Sequence, residues 1–157
     1  MKIAIAGEMV SFSLKEIVKQ HLLEKGYEVV DLGMVTSEQP YAFYEIVPNV
    51  AKAIQNKEID RGILFCGTGM GVSLCANKFK GVYAAAVESA TTAELCYVIN
   101  RANVLCMGKW IVGEKIACDM VDRWLNAEIG QGFSEERKKI QANGFQKLLD
   151  IENQNLK

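Results

Sequence analysis

The chain has a single histidine, His21, among its 157 residues, so a metal site built on several histidines is excluded. It has no apolar run long enough to span a bilayer, and no membrane partner is expected. Positive charge is not in excess: the formal net charge is -1, where a nucleic-acid surface would need a basic excess or stripe. The five cysteines are odd in number and lack paired or metal-ligand spacing, which points to a reduced, cytoplasmic setting. Met1 opens directly onto a strand pattern, so no signal peptide is expected. Internal repeats and low-complexity tracts are missing as well. What is there is apolar residues, 50% of the chain, enough for the core of one domain. A single domain over residues 1–152 is expected, with 153–157 as a frayed tail.

The apolar residues come in two alternating rhythms. Short buried-strand runs are predicted at 3–6, 27–32, 63–66, 82–87 and 104–107. Between them, helical spacing recurs: Leu14, Ile17, Val18 and Leu22 form one face of a first helix closed by Lys25 and Gly26. Further helices are predicted over 41–54 (where Pro48 must delay the start or kink the helix), from 72, over 91–100 and over 111–125. A long charged helix over 134–151 is capped by Ser134. Strands alternating with helices imply an α/β fold: a three-layer α/β/α, doubly wound, five-stranded parallel sheet with a long C-terminal helix.

The stretch at 61–80, RGILFCGTGMGVSLCANKFK, carries the chemistry. A buried strand ends at Cys66, glycines follow at alternate positions (Gly67, Gly69, Gly71), and helical spacing begins at Val72. Such a turn aims backbone N–H groups at one point and suits an anion or a developing oxyanion. The spacing is not that of a dinucleotide fingerprint, because Val72 and Leu74 stand where the further glycine belongs. Nor is it a nucleoside-triphosphate loop, because Val72 rather than Lys follows the last glycine. A thiol at the carboxyl end of a strand, beside a helix start, is suited to act as a base or nucleophile. Thr68 adds a hydroxyl. Cys75, Cys96, Cys106 and Cys118 read instead as small buried hydrophobes, and Ser73 as a cap at the helix start.

CGTGMGVSLCANK resembles the signature of the ribose-5-phosphate isomerase B and galactose-6-phosphate isomerase family, and the resemblance runs from MKIAIAG to the helix containing Arg137. In its cysteine-bearing members this loop carries the catalytic base and the donors for an enediolate. The resemblance implies aldose–ketose isomerisation of a small phosphorylated sugar, with Cys66 as base assisted by Thr68 and by Gly67, Gly69 and Gly71, and with no metal or organic cofactor. It also implies a homodimer, or dimer of dimers, with sites at the interface. Among the sugar-binding positions, Glu8, Tyr41, Asn100 and Arg137 correspond to the family pattern. Asn77 and Lys78 belong to the signature and are expected to brace the loop.

Three departures narrow that expectation. Glu8-Met9 replaces an Asp-His pair, with Met9 expected to pack on the sheet edge, and Pro40 replaces an aspartate before Tyr41. Ile99-Asn100 replaces a His-Asn pair whose histidine opens the sugar ring; His21, in mid-helix, is no substitute. Trp110 and Phe133 stand at arginine positions, with Arg101 and Lys109 as possible compensating charges. An isomerase of an acyclic substrate, such as a tetrose or tetrulose 4-phosphate, is therefore the leading expectation. The alternatives are a subunit of a galactose-6-phosphate isomerase-like heteromer and a non-catalytic sugar-phosphate-binding subunit.

Overall fold

In the computed structural model, which describes residues 1–156, strands and helices alternate along the chain. The strands are β1 (Lys2–Gly7), β2 (Glu28–Asp31), β3 (Arg61–Cys66), β4 (Ala84–Ala86) and β5 (Val104–Gly108). The helices are α1 (Phe12–Glu24), α2 (Phe43–Gln55), α3 (Met70–Ala76), α4 (Ala90–Val98), α5 (Glu114–Asn126) and α6 (Glu135–Asn155). All strand pairs are parallel, in the order β2-β1-β3-β5-β4.

The two faces of the sheet follow from strand alternation. Ile3, Ile5, Ile63, Phe65, Leu105 and Met107 point to one side and pack with α1, α4 and α5. Ala4, Ala6, Leu64, Cys66, Val104 and Cys106 point to the other and pack with α2 and α3. Each large side chain so buried contributes about 1.5–3 kcal/mol. Trp124 is fully buried in the first cluster, its indole N–H donating to the Ala102 carbonyl at 3.1 Å. Arg61, at the start of β3, lays its guanidinium on the Tyr97 ring at 3.7 Å and donates to the Trp124 carbonyl at 2.7 Å.

The chain winds outward in both directions from β1 and β3, which makes their carboxyl ends the switch point of the sheet, the usual place for a ligand crevice in such folds. Every connecting helix must return the chain to the amino end of the next parallel strand. The end of α4 and residues 99–103 therefore lie at the amino edge of the sheet, opposite the ligand crevice.

Several boundaries differ from the sequence reading. Pro48 lies well inside α2, which starts at Phe43, so the helix tolerates the lost backbone donor beyond its first turn. β4 shrinks to three residues because Tyr83 donates its N–H to the Asn103 side chain at 2.8 Å before pairing begins. α5 starts at Glu114, since the N–H groups of Ile111 and Val112 turn back to the Gly108 carbonyl. The boundary drawn at residue 152 falls inside α6, which continues to Asn155; Lys157 of the expected tail lies outside the described residues.

α6 belongs to neither helix layer and has no buried residue. It is tied to the segment entering β4: Glu152 accepts the Gly81 N–H at 2.8 Å and the Tyr83 hydroxyl at 3.1 Å, and Phe145 meets the Tyr83 ring edge-on. Ile140, Leu148 and Ile151 remain exposed along it. Among the described residues, no helix is long and apolar enough to cross a membrane.

Candidate active site

The turn after β3 takes its shape because two positions beside it carry no side chain. Gly69 adopts a φ of +79°, and a Cβ there would meet the Met107 backbone at 2.9 Å. Gly108, at the end of β5, comes closer still: its Cβ would lie 2.4 Å from the Thr68 carbonyl carbon. The two strand ends are also hydrogen-bonded, Lys109 N–H to the Cys66 carbonyl at 3.0 Å and Trp110 N–H to that of Gly67 at 2.9 Å. The loop is thus held rigidly from its flank, as a preorganised site requires.

Within this cradle Cys66 is buried, 7% exposed, and its Sγ accepts the Gly69 N–H at 3.1 Å. Thr68 Oγ1 accepts the Met70 N–H at 3.3 Å, which leaves the hydroxyl hydrogen free to donate outward. Two aromatic rings wall the loop. Phe43 lies 3.5 Å from where a Gly71 Cβ would be, and Trp110 packs flat against Gly67, whose Cβ would fall 2.7 Å from the ring. Trp110 is otherwise 70% exposed, a large apolar surface at the mouth of the site.

The other cysteines lie outside the cradle. Burial pushes the Cys106 thiol well above the usual range and the Cys96 thiol up to about 11. Burial raises Cys75 and Cys118 as well. Cys96 and Cys106 are buried as expected, whereas Cys75 and Cys118 are only half-buried.

Glu8 and Tyr41 stand at the same end of the sheet. β1 and β3 are in register, Gly7 opposite Phe65, so Glu8 and Cys66 leave adjacent strand ends side by side. The Glu8 carboxylate caps the single 3-10 turn Met9–Ser11 through the Val10 N–H at 3.2 Å and keeps its other oxygen available. Met9, expected to pack on the sheet edge, is 47% exposed. Tyr41 lines a cavity of about 230 Å³ with Leu32, Gly33 and Glu45. That loop is fixed from beneath by Lys15, fully buried, whose Nζ lies 2.5 Å from both Asp31 Oδ2 and the Met34 carbonyl. A lysine on the α1 pattern gave no sign of this role in the sequence.

Asn100 and Arg137 are elsewhere. They line a separate cavity of about 310 Å³ with Ile99, Ile140, Gln141, Gly144, Phe145 and Leu148. It sits between the end of α4 and α6, at the amino edge of the sheet, so a whole strand length separates it from Cys66 within one chain. The two compensating charges are likewise split. Arg101 stacks its guanidinium over Phe145 at 4.6 Å, while Lys109 belongs to the cradle side. Asn77 does not brace the loop: its amide exchanges two 2.8 Å bonds with the Ala84 backbone and anchors β4. Ser73, read as a cap, lies a turn inside α3 and donates to the Ala84 carbonyl at 3.2 Å; Gly69 holds the N-cap position. His21 pairs with Asp122 at 2.9 Å on the surface of α1, away from both groups.

Known proteins share this fold and much of this sequence. The family model described as Ribose/Galactose Isomerase matches residues 3–142. The 4-deoxy-4-sulfo-D-erythrose isomerase of Clostridium sp. (strain MSTE9) is 44% identical over 152 residues, 97% of this chain and 96% of that protein. Ribose-5-phosphate isomerase B of Escherichia coli (strain K12) is 41% identical over 137 residues, 87% of this chain and 91% of that one. The solved ribose-5-phosphate isomerase B of Clostridium thermocellum superposes with a TM-score of 0.89 at 36% identity, covering 98% of this chain and 99% of the other. By fold, by the loop at Cys66 and by similarity along nearly its whole length, the chain belongs to the ribose/galactose isomerase family.

Proposed function

We propose that the chain is an aldose–ketose isomerase of an open-chain four-carbon sugar with an anionic group on C4, working as a cytoplasmic homodimer without a cofactor. Cys66 removes the proton from the carbon beside the carbonyl, and the carbonyl oxygen takes up the negative charge of a cis-enediolate. The N–H groups of Gly71 and Val72 in the first turn of α3, which have no partner within the helix, and the Thr68 hydroxyl meet that charge. Transfer of the neighbouring hydroxyl's proton to the former carbonyl oxygen, and return of the abstracted proton to the former carbonyl carbon, give the other sugar. Glu8 and Tyr41 hold hydroxyls at the same end of the sheet, and Arg137 with Asn100 holds the far end of the substrate.

The observation that carries the four-carbon reading is Ile99. It lines the cavity beside Asn100 and Arg137, where a ring-opening step would need a proton donor, and it has none. Pentose and hexose phosphates spend most of their time cyclised. A four-carbon sugar whose C4 bears the anionic group has no hydroxyl there to close a five-membered ring. The relative from Clostridium sp. is named for such a skeleton. Comparing kcat/KM on erythrose or erythrulose 4-phosphate with that on ribose 5-phosphate tests it; a preference for ribose 5-phosphate defeats the reading.

The homodimer is supported by the separation of the two groups: a second copy must bring its Asn100–Arg137 cavity to the first copy's cradle. Exposed Leu74, Trp110, Ile140 and Ile151 supply apolar surface for such a contact. Mixing Cys66→Ala and Arg137→Ala chains checks it directly. Each mixed dimer then holds one intact site, so at substrate well below the native KM activity should return to about a quarter of native at equal mixing. No recovery would place both groups in one chain's site or require a different partner subunit.

A further inference from the structure

Gln141 is one turn along α6 from Arg137, and both line the same cavity. Both polar atoms of its carboxamide are buried without a hydrogen-bond partner, a cost a fold does not ordinarily carry unless a further molecule meets the group. The cavity holds one cation, Arg137, with the neutral amides of Asn100 and Gln141 and apolar walls from Ile99, Ile140 and Phe145. Arg101 stacks over Phe145 and Lys109 lies on the cradle side, and neither lines the cavity. The two other positions where the family resemblance leads one to expect arginine hold Trp110 and Phe133.

A pocket with one guanidinium and two amides matches a single negative charge. A phosphate monoester carries about -1.5 to -2 at neutral pH, its second proton leaving near pH 6. In a partly buried pocket with one cation its second charge would be left uncompensated, and an uncompensated buried charge is costly. A sulfonate carries one charge at every relevant pH and offers three acceptor oxygens, which one arginine and two amide N–H groups can fill. Resting on the four-carbon reading above, we propose that Gln141 is a specificity-determining residue that, with Arg137 and Asn100, selects a sugar with a monoanionic sulfonate tail over its phosphate counterpart.

The test uses calorimetric binding of two probes, 4-deoxy-4-sulfo-erythrose and erythrose 4-phosphate, to the Cys66→Ala dimer, which cannot turn them over. It is paired with kcat/KM for the native dimer on the same two sugars. The sulfonate should bind about tenfold more tightly at pH 7.5, the size of one charged hydrogen bond. Its Kd should stay flat between pH 5.5 and 7.5, while that of the phosphate tightens as the pH falls through 6 and the dianion becomes a monoanion. Adding Gln141→Arg should reverse the preference by supplying the second charge. Gln141→Leu should weaken sulfonate binding about tenfold while leaving the fold at least as stable, since it removes an unpartnered buried amide. Equal or better phosphate binding at pH 7.5, or a Gln141→Leu dimer with unchanged Kd for both probes, overturns the inference. Turnover of both sugars with the phosphate preferred would defeat it while the four-carbon reading stands; turnover of ribose 5-phosphate in preference to both would defeat that reading instead.

Discussion

The Cys66 cradle and the Arg137 cavity are built on opposite plans. The cradle is backbone: glycines pressed against a neighbouring strand end, with Gly69 and Gly108 so close to other main chain that no Cβ fits. The cavity is side chain: an arginine, two amides and apolar walls drawn from two helices that meet only through tertiary packing. Backbone sites place charge-stabilising groups with little freedom and serve chemistry that must not vary. Side-chain pockets can exchange one residue for another without disturbing the fold, so specificity changes there at low cost. The departures from the family pattern fall on side chains in both regions, Ile99 in the cavity and Met9 and Trp110 beside the cradle, while the glycine backbone of the cradle is kept.

If the division is right, the two regions should fail differently. Cys66→Ala should give the largest effect: kcat falls by about 10²–10⁴-fold, the span of a general base, while the Kd for substrate stays within a few-fold of native. Alkylation of Cys66 should be blocked by substrate, since the thiol lies inside the cradle. Near-native turnover by Cys66→Ala would remove the cradle from the chemistry. Arg137→Ala should instead raise KM by about 1.5–3 kcal/mol, tenfold to a hundredfold, with kcat little changed, because its bond is made in both ground and transition states. A fall in kcat with unchanged KM would erase the contrast.

The same division decides what the sequence could reveal. The cradle lies in one contiguous run, where glycine spacing, strand end and helix start are all local signals, so Cys66, Thr68 and the three glycines could be singled out together. The five strands were legible for the same reason, since β1, β3 and β5 are continuous apolar runs. β4 was overdrawn because Val82 and Tyr83 look like strand residues but spend their hydrogen bonds on loops and on α6. Asn100 and Arg137 could be named from the family pattern, yet nothing local says that they share a cavity or that it faces away from Cys66. Gln141 had no signal beyond its one-turn spacing from Arg137, and Lys15 none at all.

A third substitution probes the rigidity of the cradle. Gly108→Ala puts a methyl group 2.4 Å from the Thr68 backbone, where no side chain can move aside. It should destabilise the fold by about 1–3 kcal/mol, as overpacking does, and lower kcat with it. Gly67→Ala meets the exposed Trp110 ring rather than backbone, so it should cost less, and Trp110→Ala should rescue most of that loss. Equal damage from both, measured by denaturant midpoint and kcat/KM, would mean that the loop is not held from its β5 flank.

The smallest effect belongs to the anchor of α6, which carries Arg137 and Gln141. Burial, and then the hydrogen bond to Glu152, push the Tyr83 hydroxyl up to about 12. In the unfolded chain the same phenol ionises near 10, so between these values the unfolded state has lost a proton that the folded state keeps. Stability from this group is therefore full below about pH 10 and declines as the pH rises toward 12. The hydroxyl is only partly buried, so screening limits its share to about 1 kcal/mol or less. Cys96, raised to about 11 by burial, and the raised thiols of Cys75, Cys106 and Cys118 decline in the same direction, so the native alkaline slope contains them as well. Tyr83→Phe isolates the first: its denaturation midpoint should fall less steeply above pH 10 than that of the native chain. The substitution should also loosen α6 at neutral pH, seen as faster amide exchange along 137–152, and raise KM slightly through Arg137 while kcat on the cradle side stays unchanged. An identical alkaline slope in the two proteins would show that the Tyr83–Glu152 bond does not hold the helix, and would move the support of the cavity to Phe145 and the partner subunit.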